Sequence, residues 1–432
     1  MRIALVHASF TPELGYESTV WYRKFLDMGH HVRVFSTTHV NTSVRHLYDR
    51  PLPEGLITQD GGEVHRLPAR RLPRDLLVCP LLAPAVQEFR PDLTLLVGVT
   101  NTFGSSLLKN RGSLSGVVFC SFGENHAQRR TALPATLEVL RGLALDAAFL
   151  ALKRRLVRRA IETTDATLLN TPDTFDYLLP RVATARQRER LRSKCALFPL
   201  GFDPSLFRVD TDARQDTRRR LGIADHEVAG LYSCKVTPIK RLDVWVSVMA
   251  AAMRRAPALR AVLVGIREGD PESRRIVSLV GGSGLQDRFT CLPFASRTEL
   301  PRLYNAADFG VWHRQPSITI QEAMGTGLYM ILTNDSTVSH LLLEPETGRY
   351  FVHDDTRDLE ERVVETARAF ADNEVVSHVE ARRQRAEINA RRFGYDVLAE
   401  RIITAAKDPP NAVDHLQFRD DYARELCRER PG

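Results

Sequence analysis

Cysteine is sparse and unpaired in this 432-residue sequence: the six residues, at 79, 120, 195, 234, 291 and 427, are scattered and include no CxxC. That spacing argues against a zinc site and a disulfide framework and fits a reducing compartment, so a cytoplasmic location is expected. Long apolar runs are missing too. None approaches the roughly 20 residues of a membrane span. The opening Met1-Arg2-Ile3-Ala4-Leu5-Val6 is too short for a signal peptide and runs straight into a polar loop. No GxGxxG follows the first strand, where Gly15 stands as the one clear glycine, so a nicotinamide or flavin site gains little support. No nucleic-acid-binding motif is present, and a formal charge of +7 is modest for such a partner. That charge suits a phosphate-bearing ligand, or is a basic surface and nothing more.

What is present reads as an ordinary globular composition, with 43% hydrophobic and 26% charged residues. The length exceeds one core and suits two or three domains of roughly 150–200 residues. Residues 2–6 form a short apolar strand. Residues 18–29 suggest a helix with Val20, Trp21, Phe25 and Leu26 inward and Gly29 at its end, and 31–36 the next strand. That β-α-β order implies a parallel sheet. Further strands are predicted within 90–98, 115–120 and 166–169, whereas 40–75, rich in Pro, Arg and His, reads as irregular. The stretch 135–161 looks helical, and its basic last turns complement a helix C-terminus or give a weak membrane-surface association; a solvated basic face is the usual reading.

The stretch Phe198-Pro199-Leu200-Gly201-Phe202-Asp203 marks a boundary. In the charged segment 209–220, Asp210-Thr211-Asp212 has the spacing of a DxD metal signature but reads as solvated linker. The alternation then repeats, with strands at 228–234, 259–264, 289–292, 309–312 and 329–333 and a helix over 243–256. The tail 378–407 is helical with a break at 392–396, and an amphipathic piece, 411–428, is expected to cross back to the first half. Two doubly wound α/β halves facing across a cleft is the economical architecture.

Two stretches carry the candidate chemistry. In 306–329 an apolar strand runs into the polar turn His313-Arg314-Gln315-Pro316-Ser317, and Ile318, Ile320, Ala323 and Met324 then suit one helix face, stopped by Gly325 and Gly327. A helix start at the carboxyl end of a parallel strand offers free N–H groups and the positive dipole end to an anion. In Ser233-Cys234-Lys235-Val236-Thr237-Pro238-Ile239-Lys240, two lysines five apart follow a strand and can converge on a diphosphate, stabilising charge on a leaving group. The alternative is a basic helix-capping turn.

These elements, in order, resemble the family-4 retaining glycosyltransferases of the GT-B fold. The likeness rests on Leu14-Gly15-Tyr16-Glu17 after the first strand, on Pro199-Leu200-Gly201-Phe202-Asp203 with Phe207, on Cys234 to Arg241, and on Arg314 to Met324. It implies two Rossmann-like domains, 1–200 for the acceptor and 201–395 for the donor, with helices in 396–432 crossing back. By the resemblance, Lys235 and Lys240 hold the donor diphosphate and Glu322 accepts hydrogen bonds from the nucleotide ribose. Gly15 and Tyr16 close over the diphosphate. Pro293 and Phe294 flank the base, and Pro316, Ser317, Ile318, Thr319 and Ile320 lie near the sugar and phosphates, partly through backbone N–H groups.

Two departures stand out. Arg314 occupies the place of an acid that usually touches the donor sugar, and arginine donates hydrogen bonds only. Phe122 replaces a histidine on the acceptor side, where Glu124 and His126 follow. The implied reaction moves a sugar, with retention, from a nucleoside diphosphate sugar of GDP or UDP type to a small-molecule or glycan acceptor, in bacterial natural-product or cell-surface glycan synthesis. No further cofactor and no metal are implied. A silent sugar-nucleotide-binding partner subunit and a GT-B epimerase are the alternatives.

Overall fold

The run Ile3-Ala4-Leu5-Val6 is apolar on both faces of its strand, so the strand must be covered on both sides, as in a parallel sheet. In the computed structural model, which describes residues 1–12, 17–40, 52–72, 76–123, 153–314, 317–372 and 375–418, it is β1 (Arg2–His7) of an eight-stranded sheet. Along the chain follow α1 (Glu17–Asp27), β2 (His31–Thr37), β3 (Gly55–Gln59), β4 (Gly62–Leu67), the small hairpin β5 (Arg70–Leu72) and β6 (Leu76–Val78), α2 (Leu82–Phe89), β7 (Leu93–Val97) and α3 (Ser105–Lys109). Then come β8 (Val117–Phe122), α4 (Arg154–Thr163), β9 (Ala166–Leu169), α5 (Pro172–Val182), α6 (Ala185–Arg192) and β10 (Cys195–Leu197). The sheet order is β10-β9-β8-β7-β1-β2-β4-β3, parallel except for β3.

The second sheet is built from α7 (Thr211–Arg220), β11 (Val228–Ser233), α8 (Leu242–Arg255), β12 (Leu259–Ile266), α9 (Pro271–Gly282), β13 (Phe289–Pro293), α10 (Leu300–Ala306) and β14 (Phe309–Trp312). It continues through α11 (Ile318–Gly325), β15 (Tyr329–Asn334), β16 (Gly348–Val352), α12 (Thr356–Asp372) and α13 (Val375–Phe393). Its order, β13-β12-β11-β14-β15-β16, is parallel throughout. The order reverses between β11 and β14, which makes their carboxyl ends the topological switch point where open α/β sheets take ligands.

Described residues within Met1–His126, Val139–Leu200 and Tyr395–Arg419 form one compact unit, and those within Gly201–Gly394 the other. The chain returns to the first unit through α14 (Tyr395–Lys407) and α15 (Ala412–Leu416). Leu398, Ala399, Ile402 and Ile403 of α14 join the core of β1 and α1. Full burial of each larger side chain contributes about 1.5–3 kcal/mol. Trp21 meets Tyr395 edge to face with centroids 4.6 Å apart, and Lys24 pairs with Asp396 at 2.7 Å.

Several expectations need correction. Leu26 is only partly buried on α1. The segment predicted irregular contains β3, β4 and β5. Gln59 pairs with Gly62, and Asp60 and Gly61 between them both take positive φ (49° and 84°), the two-residue turn that an Asp-Gly pair favours. The charged segment read as linker is α7. Asp210 caps it by accepting from the Ala213 N–H at 2.8 Å. Arg214 and Arg218, one turn apart, reach the buried Asp308 at 2.5 and 3.1 Å. Burial pushes that carboxyl up, but the two guanidiniums and the Ala229 N–H at 2.7 Å hold it below its ordinary value. Of the helix expected over 135–161, α4 is described and 135–152 lie outside the described residues. Of the piece 411–428, α15 is helical and residues beyond 418 are likewise outside.

Candidate active site

At the switch point, β11 and β14 are tied end to end. The Trp312 indole N–H is shared between the Ser233 carbonyl and Thr319 Oγ1, each at 3.2 Å, and the Thr319 hydroxyl lies 3.2 Å from the same carbonyl. Ser233 Oγ lies 2.8 Å from the Tyr304 hydroxyl. This network fixes where α11 begins. Ser317 is its N-cap residue, yet the Ser317 hydroxyl turns to Thr319 Oγ1 at 2.9 Å and caps no backbone N–H. Among the described residues the first turn of α11 therefore keeps N–H groups without a side-chain acceptor at the carboxyl end of the sheet.

The loop after β11 presents its lysines differently. Val236 is buried and anchors the loop, Lys235 is exposed, and Lys240 ends a single turn, Pro238–Lys240, half-buried. Burial lowers the Lys240 ammonium below its ordinary range, with the Cys234 thiol nearby. Cys234 itself is pushed up to about 12 by burial and is a neutral thiol. Gly265 lets the loop sit this close: its φ is 125°, and a Cβ there would lie 1.9 Å from the Cys234 carbonyl oxygen. His313, buried beside Tyr232, is drawn down to about 4 by burial and is neutral at pH 7. Its Nε2 lies 3.1 Å from the Arg241 carbonyl, so Nε2 carries the proton and Nδ1 is left without a partner. Arg241 holds a left-handed backbone, φ 46°, at the start of α8 and pairs with Asp243 at 3.1 Å.

Glu322 lies on α11, half-buried. Burial pushes its carboxyl up to about 7, and Arg297 offsets only part of that. A carboxyl poised there can ionise when hydrogen-bond donors are brought to it.

Residues 229–368 match the Glycosyl transferases group 1 family. A D-inositol 3-phosphate glycosyltransferase of Actinosynnema mirum is 31% identical over 122 residues, which cover 27% of this chain and 29% of that protein. The chain thus spans less than a third of the length of this curated relative. Whole-chain likeness is structural. Sucrose-phosphate synthase from Thermosynechococcus elongatus aligns with a TM-score of 0.66 at 19% identity, covering 95% of this chain and 99% of that one. HepE of Anabaena, solved in complex with UDP, aligns at 0.64 and 16% identity, covering 94% and 100%. The fold is GT-B.

Within the second unit of this GT-B chain, the structure brings together the loop carrying Lys240, the start of α11 with Ser317, Ile318 and Thr319, and His313 between them. Ile320 is 1% exposed, so only its backbone is open to a ligand. Ile318 is only partly buried, so the apolar face of α11 is narrower than predicted. Arg314 follows β14 with Nη2 3.6 Å from the exposed Asp354 and a buried Nε without a partner. Pro293 ends β13 exposed, and Phe294 after it is 71% exposed. In the first unit, Phe122 ends β8 fully buried. Gly15, Tyr16, Glu124, His126 and Pro316 lie outside the described residues. Sequence reading missed Ser233, Trp312 and Tyr304 as positioning residues. A polar or indole group at the last position of an otherwise apolar strand is the signal that could have found the first two. Among the described residues no group of three His, Cys, Asp or Glu side chains is placed to hold a metal ion, and no helix is long and apolar enough to cross a membrane.

Proposed function

We propose that the chain is a glycosyltransferase that moves a sugar from a nucleoside diphosphate sugar to an acceptor, with retention of configuration. The observation that supports it most is the start of α11, uncapped by its N-cap side chain and bonded through Thr319 to Ser233, the residue from which the loop of the half-buried Lys240 departs at the switch point of the second unit. The match of that unit to a glycosyltransferase family points the same way. The diphosphate lies against the α11 N–H groups, with Lys240 placing positive charge on it and Lys235 adding a solvent-side contact. Glu322 accepts from the ribose hydroxyls, and Phe294 offers an exposed ring to the base. As the sugar leaves, negative charge grows on the terminal phosphate, and a fixed ammonium and helix dipole stabilise it without reorganising. The leaving phosphate takes the acceptor's proton on the face of attack, so no protein nucleophile is required. The donor is of UDP or GDP type; HepE was solved with UDP and with UDP-glucose, and UDP is the first to try. The domain roles, acceptor for 1–200 and donor for 201–395, a cytoplasmic site of action and a metal-independent reaction belong to the same proposal.

The test is incubation with a panel of UDP- and GDP-sugars and candidate acceptors, following free nucleotide by chromatography and product anomeric configuration by NMR. Acceptor-dependent nucleotide release with the donor's configuration kept is expected. Tight nucleotide binding without any turnover across the panel points to the silent partner subunit, and donor consumption without acceptor to an epimerase.

A further inference from the structure

Arg385, on α13, is 7% exposed, yet only its Nε is hydrogen-bonded, to the Gly327 carbonyl at 2.8 Å. Among the described residues no carboxylate pairs with it, and its two terminal nitrogens make no hydrogen bond. Burial draws it down to about 10. Its Cζ lies 5.9 Å from the centroid of the Tyr329 ring, and Asp308 acts on it only from a distance, so the charge is weakly balanced. Its two terminal nitrogens stay available to an anion.

The surroundings supply room for one. Arg385 lines two adjoining cavities of about 360 and about 490 Å³, which also share Phe370 and His378. Both lie within the roughly 300–1,000 Å³ of small-molecule sites. Among the described residues the smaller is lined also by Tyr329 and Arg349 and by no acidic one. The acids of the larger are mostly engaged: Asp308 by Arg214 and Arg218, Asp210 in capping α7, Glu227 with Arg260 at 2.7 Å. Phe370, stacked on His378 with centroids 5.0 Å apart, and Tyr329, edge to face with Phe370, give a partly apolar wall. Tyr329 opens β15 and Arg349 lies at the start of β16, so this is the amino end of the sheet. Six residues of β15 at about 3.3 Å each put it roughly 16–20 Å from the carboxyl end, where Lys240 and α11 lie.

We propose that these cavities form a second anion site, which takes a phosphomonoester of a small organic molecule: the phosphoryl oxygens on Arg385 and Arg349, the organic body against Phe370 and Tyr329. Inorganic phosphate and glucose 6-phosphate are the probes, titrated at millimolar concentration into the full chain at low salt and followed by thermal shift and calorimetry. Glucose 6-phosphate raises the melting temperature of the wild type. R385Q and R349Q each weaken its affinity by roughly tenfold or more, as loss of a charge-assisted contact requires. K240A, in the other site, leaves it unchanged. If R385Q does not fold, R349Q decides, because Arg349 is substantially exposed and partnered by Glu365 at the surface. Failure of both probes to bind the wild type, equal affinity in wild type and the arginine variants, or loss of binding in K240A overturns the proposal. None of these outcomes bears on the glycosyltransferase reading.

Discussion

The Trp312 indole N–H reaches the Ser233 carbonyl at 3.2 Å and so couples the ends of the two strands that flank the switch point of the second sheet. Both residues are buried, so the bond is protected from water. The same indole N–H meets Thr319 of α11. Changing Trp312 to Phe keeps most of the ring and removes the donor. We expect a stability loss of about 1–2 kcal/mol, the range for one buried hydrogen bond plus some lost packing. A several-fold loss of nucleotide affinity should accompany it, since the start of α11 is no longer held. Urea denaturation and calorimetry check this; unaltered values in both would remove the positioning role.

Glu322 provides a test in which stability and function move in opposite directions. Its folded-state value, about 7, lies above the ordinary 4.5. The protonated form is thus favoured in the fold: stability is fully present below about pH 4.5 and is lost as pH rises through 7, by an amount on the order of 3 kcal/mol. Glu322→Gln should therefore stabilise the free protein at pH 8 while weakening nucleotide binding by roughly 1–3 kcal/mol. A variant that is neither more stable nor poorer in binding contradicts both halves.

Three histidines, His313 and His340 buried and His7 partly buried, act in the other direction with pH. His7 and His313 are drawn down to about 4 and His340 to about 3, each through burial. Their folded values lie below 6.5, so the unfolded chain takes up more protons between pH 6.5 and 4. Their contribution is present above pH 6.5 and lost as pH falls through that window, at up to about 1.4 kcal/mol per pH unit for each. His313→Asn should lessen the acid slope of unfolding free energy between pH 6.5 and 5. An unchanged slope would mean that His313 charges freely.

Asp308 is the counter-charge for Arg214 and Arg218. Asp308→Ala strands two guanidiniums, one of them fully buried, and should cost about 3–5 kcal/mol. Far-UV circular dichroism against urea measures it. A loss under about 1 kcal/mol would mean that the arginines' many carbonyl contacts are enough to hold α7.

The apolar strands towards the middle of both sheets were legible because a parallel strand covered on both faces must be apolar throughout: Ile3 to Val6, Val228 to Leu231 and Phe309 to Trp312 announce themselves. The lysine loop and the start of α11 were legible for the same topological reason, since each follows such a strand. α7 was not, because Arg214 and Arg218 look like solvent-facing charge until Asp308, some ninety residues on, is brought beside them. β3 and β4 were hidden by their polar content, although the Asp60-Gly61 pair was in plain view. The depth of Phe122 and the pairing of Arg314 with Asp354 depend on tertiary packing, which no local pattern encodes.

The account rests on a diphosphate held by Lys240 and the open start of α11. Calorimetric titration of UDP, or of GDP if the wild type prefers it, into wild type, Lys240→Ala and Lys235→Ala tests that most directly. Lys240→Ala should bind at least about tenfold more weakly, a loss of about 1.4 kcal/mol or more, with the exposed Lys235 giving a smaller loss. Nucleotide affinity in folded Lys240→Ala equal to that of the wild type contradicts the account.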